Sequence, residues 1–200
     1  MGKKLILLGL DGATWDVLHP LMDDGSMPNL KKAFENGVSA EMNSTFPPIT
    51  APAWLSMATG KNPGKTGVTD FRKPGEDLYE RKTVNSSDFR ENGAFWDMLN
   101  DNGFRTYLMG FPMVYPYYSI DGIIVGGWGT PDHGDIAYPS ELDERIEDVS
   151  DGYVNYVPWD SDEYKKDKEK LIDDLSMMLE KQTKVVKDFL KDDCDFFTYI

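Results

Sequence analysis

The strongest constraint on this chain is a short apolar run near its start, Lys4 to Leu10, that stops at Asp11-Gly12. The run is continuous rather than alternating, so it predicts a strand covered on both faces, as parallel sheets require. Two preceding lysines imitate a secretory leader. The apolar stretch is only about seven residues long, however, and no small-residue cleavage site follows it. A strand that ends in Asp-Gly places a carboxylate at the carboxyl edge of the sheet, where open α/β folds collect their ligands.

The rest of the chain alternates helix and strand signals. Trp15, Leu18, Leu21 and Met22 recur at helical spacing, and a second helix runs from Pro28 to its stop at Gly37. Val38 to Met42 reads as a short strand, Thr45 to Pro52 as a loop and Ala53 to Thr59 as a helix. Residues 60 to 93, rich in Gly, Pro, Lys and Asp, read as a long surface excursion, and loop-rich character extends to about residue 160. Within that stretch, Phe95 to Leu99 predicts a helix ended by Gly103, and Arg105–Met109 and Ile120–Val125 predict strands. Asp160 to Lys191 carries a 3.6-residue apolar period and predicts one long amphipathic helix, followed by a buried strand from Phe196 to Ile200. This order predicts one α/β domain over residues 1–200, a doubly wound, mostly parallel sheet with helices on both faces. Because the chain stops inside an apparent strand, it is expected to belong to something longer.

Composition removes several function classes. Asp and Glu outnumber Lys and Arg 35 to 21, giving a formal charge of -14. That field repels nucleic-acid backbones and anionic membranes. A phosphate-handling enzyme of this charge needs cations to invert the field locally, which directs attention to metal ligands. No stretch approaches the roughly 18 apolar residues of a membrane span. Cys194 is alone, so no internal disulfide forms, and the reading is a structural cysteine in a reducing, cytoplasmic compartment. Nothing in the sequence sets an oligomeric state.

Two residues stand out chemically. Asp11 is either an N-cap for the helix beginning near Ala13 or a cation ligand. Thr50, in Phe46-Pro47-Pro48-Ile49-Thr50-Ala51-Pro52-Ala53-Trp54, is either a helix cap or a hydroxyl poised at a helix N-terminus. In the second case the Ala51 backbone N–H faces the same ligand, and a phosphoryl group suits that place. His19 sits among Leu18, Pro20 and Leu21 as a surface or packing residue. His133, beside Asp132 and Asp135, is a loop residue or a substrate contact. The Asp-rich stretches at 143–151 and 160–174 read as solvated faces.

Leu5 to Asp11, Thr50-Ala51-Pro52-Ala53-Trp54 and Ala58-Thr59-Gly60 through Thr66-Gly67-Val68 together resemble the opening of the type I phosphodiesterase/nucleotide pyrophosphatase family, within the alkaline phosphatase superfamily. The resemblance implies an alkaline phosphatase-like fold and a metal-dependent hydrolase of small phosphate esters. It also implies a pair of divalent metals, usually zinc, with manganese or magnesium as alternatives. By the same resemblance Asp11 is a metal ligand, and Thr50 is both nucleophile and metal ligand, forming a covalent phospho-threonine. Nucleotide-cleaving members have an Asn where this chain has Phe71, and Thr66 stands where many have His. The family's remaining ligands, an Asp-x-x-x-His and later histidines, are expected beyond Ile200, so the 200 residues alone are expected to be inactive. A non-catalytic binding domain using Tyr115-Pro116-Tyr117-Tyr118, or a metal-dependent phosphomutase, are the competing readings. Sulfatases need a Cys or Ser nucleophile, which Thr50 is not.

Overall fold

The structure is a computed structural model that describes residues 4–75, 77, 79–131 and 133–200. The chain begins with β1 (Leu5–Leu8), a pair of helices α1 (Trp15–Asp23) and α2 (Pro28–Asn36), then α3 (Thr50–Thr59) and the single turn α4 (Pro63–Thr66). A small hairpin of β2 (Arg72–Pro74) and β3 (Arg81–Thr83) leads to α5 (Ser86–Asn92) and α6 (Phe95–Asp101). Three strands follow, β4 (Thr106–Met109), β5 (Gly122–Val125) and the two-residue β6 (Ala137–Tyr138). The chain then runs through α7 (Asp143–Ser150), α8 (Asp162–Lys166) and α9 (Lys168–Phe189) to β7 (Phe196–Tyr199).

These strands form a five-stranded sheet in the order β1-β7-β4-β5-β6. All neighbours are parallel except β6, which runs antiparallel to β5. The last strand therefore lies between the first and β4, and the carboxyl ends of β1, β7, β4 and β5 share one edge. Side-chain alternation along each strand divides the core into two layers. Leu108 and Phe196 face Leu55, Phe89 and Trp96 of α3, α5 and α6. Tyr107, Met109 and Phe197 face Ile146, Val185 and Phe189 of α7 and α9. The fold is thus a mostly parallel α/β sheet with helices on both faces, as the alternation of elements predicts.

Four local expectations change. The β1 run is not covered on both faces: β1 is an edge strand, and Leu5, Ile6 and Leu8 are each more than half exposed. Val38 to Met42 forms no strand, because no neighbour lies beside it to take its backbone hydrogen bonds, and Val38 and Met42 stand in solvent. The 60–93 stretch is not only a surface excursion. It contributes α5, whose Phe89 is fully buried, and a capping box in which Asn85 accepts from the Ser87 N–H while Asp88, paired with Lys73, accepts from the Asn85 N–H. Residues 94–160 hold three of the five sheet strands. Finally, the long helix is two helices, because Asp167 accepts from the Lys170 N–H and starts α9 afresh.

Candidate active site at the carboxyl edge of the sheet

Strand β1 leaves the sheet through Gly9 and Leu10 to Asp11, with the Gly9 amide donating to the Tyr199 carbonyl of β7. Gly9 is required by proximity: a Cβ there would stand 2.6 Å from the Trp54 ring and overlap the Ile200 side chain. Trp54 lies one turn into α3, edge-on to Phe111 with centroids 5.5 Å apart. The indole resting on the glycine brings the first turn of α3 against the exit of β1.

The consequence is that Thr50 Oγ1 donates to Asp11 Oδ2 at 3.3 Å across 39 positions of sequence. Neither residue serves as a cap. Helix α1 starts at Trp15 with Thr14 at its N-cap, and α3 is preceded by Ile49 in an extended conformation, with no side-chain cap on either helix. Thr50 is itself the first residue of α3, so its hydroxyl is free to reach the carboxylate. Asp11 is exposed, and Thr50 is half-buried. The amides of Thr50 and Ala51 have no acceptor among the described residues, and Pro52 has no amide, so the next donor, Ala53, is the first to close a helical bond, to Ile49. Ala51 is fully buried, which leaves Thr50 as the reachable member of the pair. An anion beside Thr50 would meet a helix N-terminus with its positive dipole end and free donors.

The Thr59-Gly60 pair has a structural explanation. Helix α3 spans Thr50–Thr59, and Gly60 closes it in the left-handed region at φ 66° while Thr59 Oγ1 donates back to Leu55. The nine-residue spacing from Thr50 is therefore one helix length. Thr66-Gly67 is architectural in the same way, with Gly67 at φ 72° ending α4. Phe71 packs on Trp128 with centroids 5.0 Å apart and the rings tilted, an apolar contact rather than a polar one. His19 packs with Trp15 and Phe34, at centroid distances of 5.2 Å and 5.4 Å. His133 is exposed and makes no hydrogen bond, ion pair or ring contact among the described residues, so it is not brought to Asp11 or Thr50. Its companion Asp132 lies outside the described residues.

Two ligands on a tetrahedral zinc, with Zn–O bonds of about 2.0–2.2 Å, lie about 3.3–3.6 Å apart. The Asp11 and Thr50 oxygens have that separation and are both hard oxygen donors, so they fit one edge of such a site. They do not complete it: no group of three or more His, Cys, Asp or Glu side chains converges among the described residues.

Sequence reasoning missed the parts that hold these residues in place. Gly9 and Trp54 are one such pair. At the same edge of the sheet, a Cβ on Gly127 would overlap the Gly110 carbonyl oxygen, so the chain leaving β5 folds directly over the chain leaving β4. Glycines immediately after strands were the available signal.

A family model described as type I phosphodiesterase / nucleotide pyrophosphatase matches residues 5–199. No curated protein and no solved structure matches the chain.

Proposed function

The chain belongs to the type I phosphodiesterase / nucleotide pyrophosphatase family, within the alkaline phosphatase superfamily, and from that premise we propose that it carries the nucleophile of a phosphoester hydrolase, Thr50, with Asp11 as its partner. The observation that supports this most directly is the Thr50–Asp11 hydrogen bond at the carboxyl edge of the sheet. Neither residue has a structural task that would otherwise account for the approach.

In this reading a small phosphodiester docks with its phosphoryl oxygens toward the first turn of α3, where the Thr50 amide donates to them and the helix dipole offsets their charge. Asp11 accepts the hydroxyl proton's hydrogen bond and so turns an Oγ1 lone pair toward phosphorus. Thr50 Oγ1 forms the new O–P bond as the bond to the departing ester oxygen breaks, its proton passing by way of Asp11 to the leaving alcohol; water then cleaves the Thr50 O–P bond, releasing a phosphate monoester and restoring the hydroxyl. Asp11 and Thr50 would also hold one divalent cation, which would lower the hydroxyl pKa and neutralise charge on the transferring group. Because two oxygens do not make a complete metal site, the 200-residue chain by itself is proposed to turn over no substrate.

The test is covalent trapping. The intact protein is incubated with an aryl phosphodiester, quenched in acid and digested, and the peptide carrying Thr50 is weighed. An increment equal to the phosphoryl group with its one retained ester substituent is expected on that peptide; an increment confined to another peptide would overturn the assignment.

A further inference from the structure

The tyrosines at 115, 117 and 118 have no role in the site at β1. Two of them wall a cleft at the opposite side of the sheet, beside β6, with a volume of about 490 Å³. Four strand intervals separate β1 from β6, about 19 Å. The cleft is lined by Tyr115, Pro116, Tyr117, Asp135, Tyr138 and Glu141 among others, and no Lys, Arg or His among the described residues lines it.

Its walls are fixed before any ligand arrives. The rings of Tyr115 and Tyr117 meet at 84° with centroids 5.2 Å apart, forming a corner. The Tyr117 hydroxyl donates to the Ile136 carbonyl at 2.7 Å, and the Tyr138 hydroxyl donates to Ser119 Oγ at 2.8 Å. Burial pushes the Tyr117 phenol up to about 12, with the Asp143 and Asp135 carboxylates adding to the rise, so the ring stays neutral. At the mouth, neither Asp135 nor Glu141 has a hydrogen bond or ion pair among the described residues.

Aromatic faces and unpaired carboxylates attract the same kind of ligand, a cation whose charge sits inside an apolar shell. A bare metal ion is a poorer match, because no three ligating side chains converge there among the described residues. The volume is that of a small-molecule pocket. We propose that this cleft binds a small organic cation of the alkylammonium or quaternary ammonium type. The site is separate from Asp11 and Thr50 and does not rest on their assignment.

The test is direct binding to the 200-residue chain by isothermal titration or saturation-transfer NMR. Tetramethylammonium chloride is the probe, tert-butanol its uncharged counterpart and sodium chloride the ionic-strength control. Saturable tetramethylammonium binding is expected, at least fivefold tighter than tert-butanol. Asp135→Asn, at an exposed position, is expected to weaken it at least threefold. Tyr115→Leu is expected to weaken it similarly and Tyr115→Phe to preserve it, while Thr50→Ala leaves it unchanged. Equal binding of the cation and the alcohol, no saturation with the cation, or indifference to Asp135→Asn and Tyr115→Leu would each overturn the proposal.

Discussion

Replacing Thr50 by Ala separates a chemical role from a structural one, because the structure sets the two effects at different sizes. The Thr50–Asp11 bond is 3.3 Å long, beyond the usual range for a hydroxyl donor, and it ends on an exposed carboxylate. Its net contribution to folding is therefore at most about 0.5–1 kcal/mol. Alanine in the first turn of a helix returns a few tenths of that. The expected change in melting temperature is no more than about 2–4 °C for a domain of this size. Loss of a nucleophile is far larger: at least about 10³-fold in kcat, equivalent to about 4 kcal/mol of transition-state stabilisation. Thr50→Ser keeps the oxygen and is expected to stay within about tenfold of the parent. The assay is hydrolysis of an aryl phosphodiester by the intact protein, run beside thermal denaturation of each variant. Undiminished turnover by Thr50→Ala would refute the nucleophile assignment. Lost turnover accompanied by a melting temperature lowered by about 10 °C or more would show instead that the hydroxyl's importance is structural.

Three further outcomes follow from the same geometry. Gly9→Ala places a methyl group against Trp54 and Ile200, so it should cost about 1–3 kcal/mol by overpacking. By shifting α3 it should also cut turnover on the order of 10²-fold, measured with the same ester. Arg145 pairs with Asp188 at 2.7 Å and Asp192 at 2.8 Å and lies over the Phe189 ring, clasping α7 to α9. Arg145→Ala should cost about 1–2 kcal/mol by urea denaturation at neutral pH, the low end because the pair is partly exposed. Lys191 first, and Arg145 with it, hold the Asp188 carboxyl below its ordinary value. That share of stability is present above the unfolded carboxyl pKa and fades as pH falls through the lower folded one, so the penalty should shrink in acid. Isothermal titration of zinc into the 200-residue chain should give affinity weaker than micromolar; sub-micromolar binding would contradict the two-oxygen account of the site.

The parts of the fold legible in the sequence are those whose signal is local. Gly37 and Gly103 end helices where they stand, and Phe196 to Tyr199 form a buried strand with nothing but apolar pattern and an aspartate-rich break to announce it. Failures occur where a local pattern needs a distant partner. Val38-Ser39-Ala40-Glu41-Met42 alternates as a strand should, yet alternation forms no strand without a neighbour to bond. The β1 run predicts its place in a parallel sheet correctly but not its cover, because hydrophobicity reports a preference for burial and carries no information about what supplies it. β6 is only two residues long, between Ile136 and Pro139, too short for any period to register. The division of the long helix was readable in principle: Ser161 and Asp167 both accept a first-turn amide, and at least one acidic residue stands in each first turn, which is how helices begin.

The site divides along the same line. Asp11 at the tip of an apolar strand and Thr50 ahead of a proline-bearing helix are each visible in the sequence, but each has an ordinary capping role that fits its local surroundings equally well. What separates the readings is their mutual distance, and that distance depends on a side chain missing at Gly9 and a ring present at Trp54. An indole at position 54 covers the strand exit only where no Cβ stands in its way, and only then does the first turn of α3 come within 3.3 Å of the carboxylate. Trp54→Ala should therefore loosen the approach from the other side. With the clash of Gly9→Ala absent, the expected result is a packing loss of about 3–5 kcal/mol, reduced in proportion to the ring's partial exposure. Turnover should fall as it does for Gly9→Ala. If turnover survived in both variants, the hydroxyl–carboxylate distance would not be what catalysis depends on, whatever Thr50→Ala had shown.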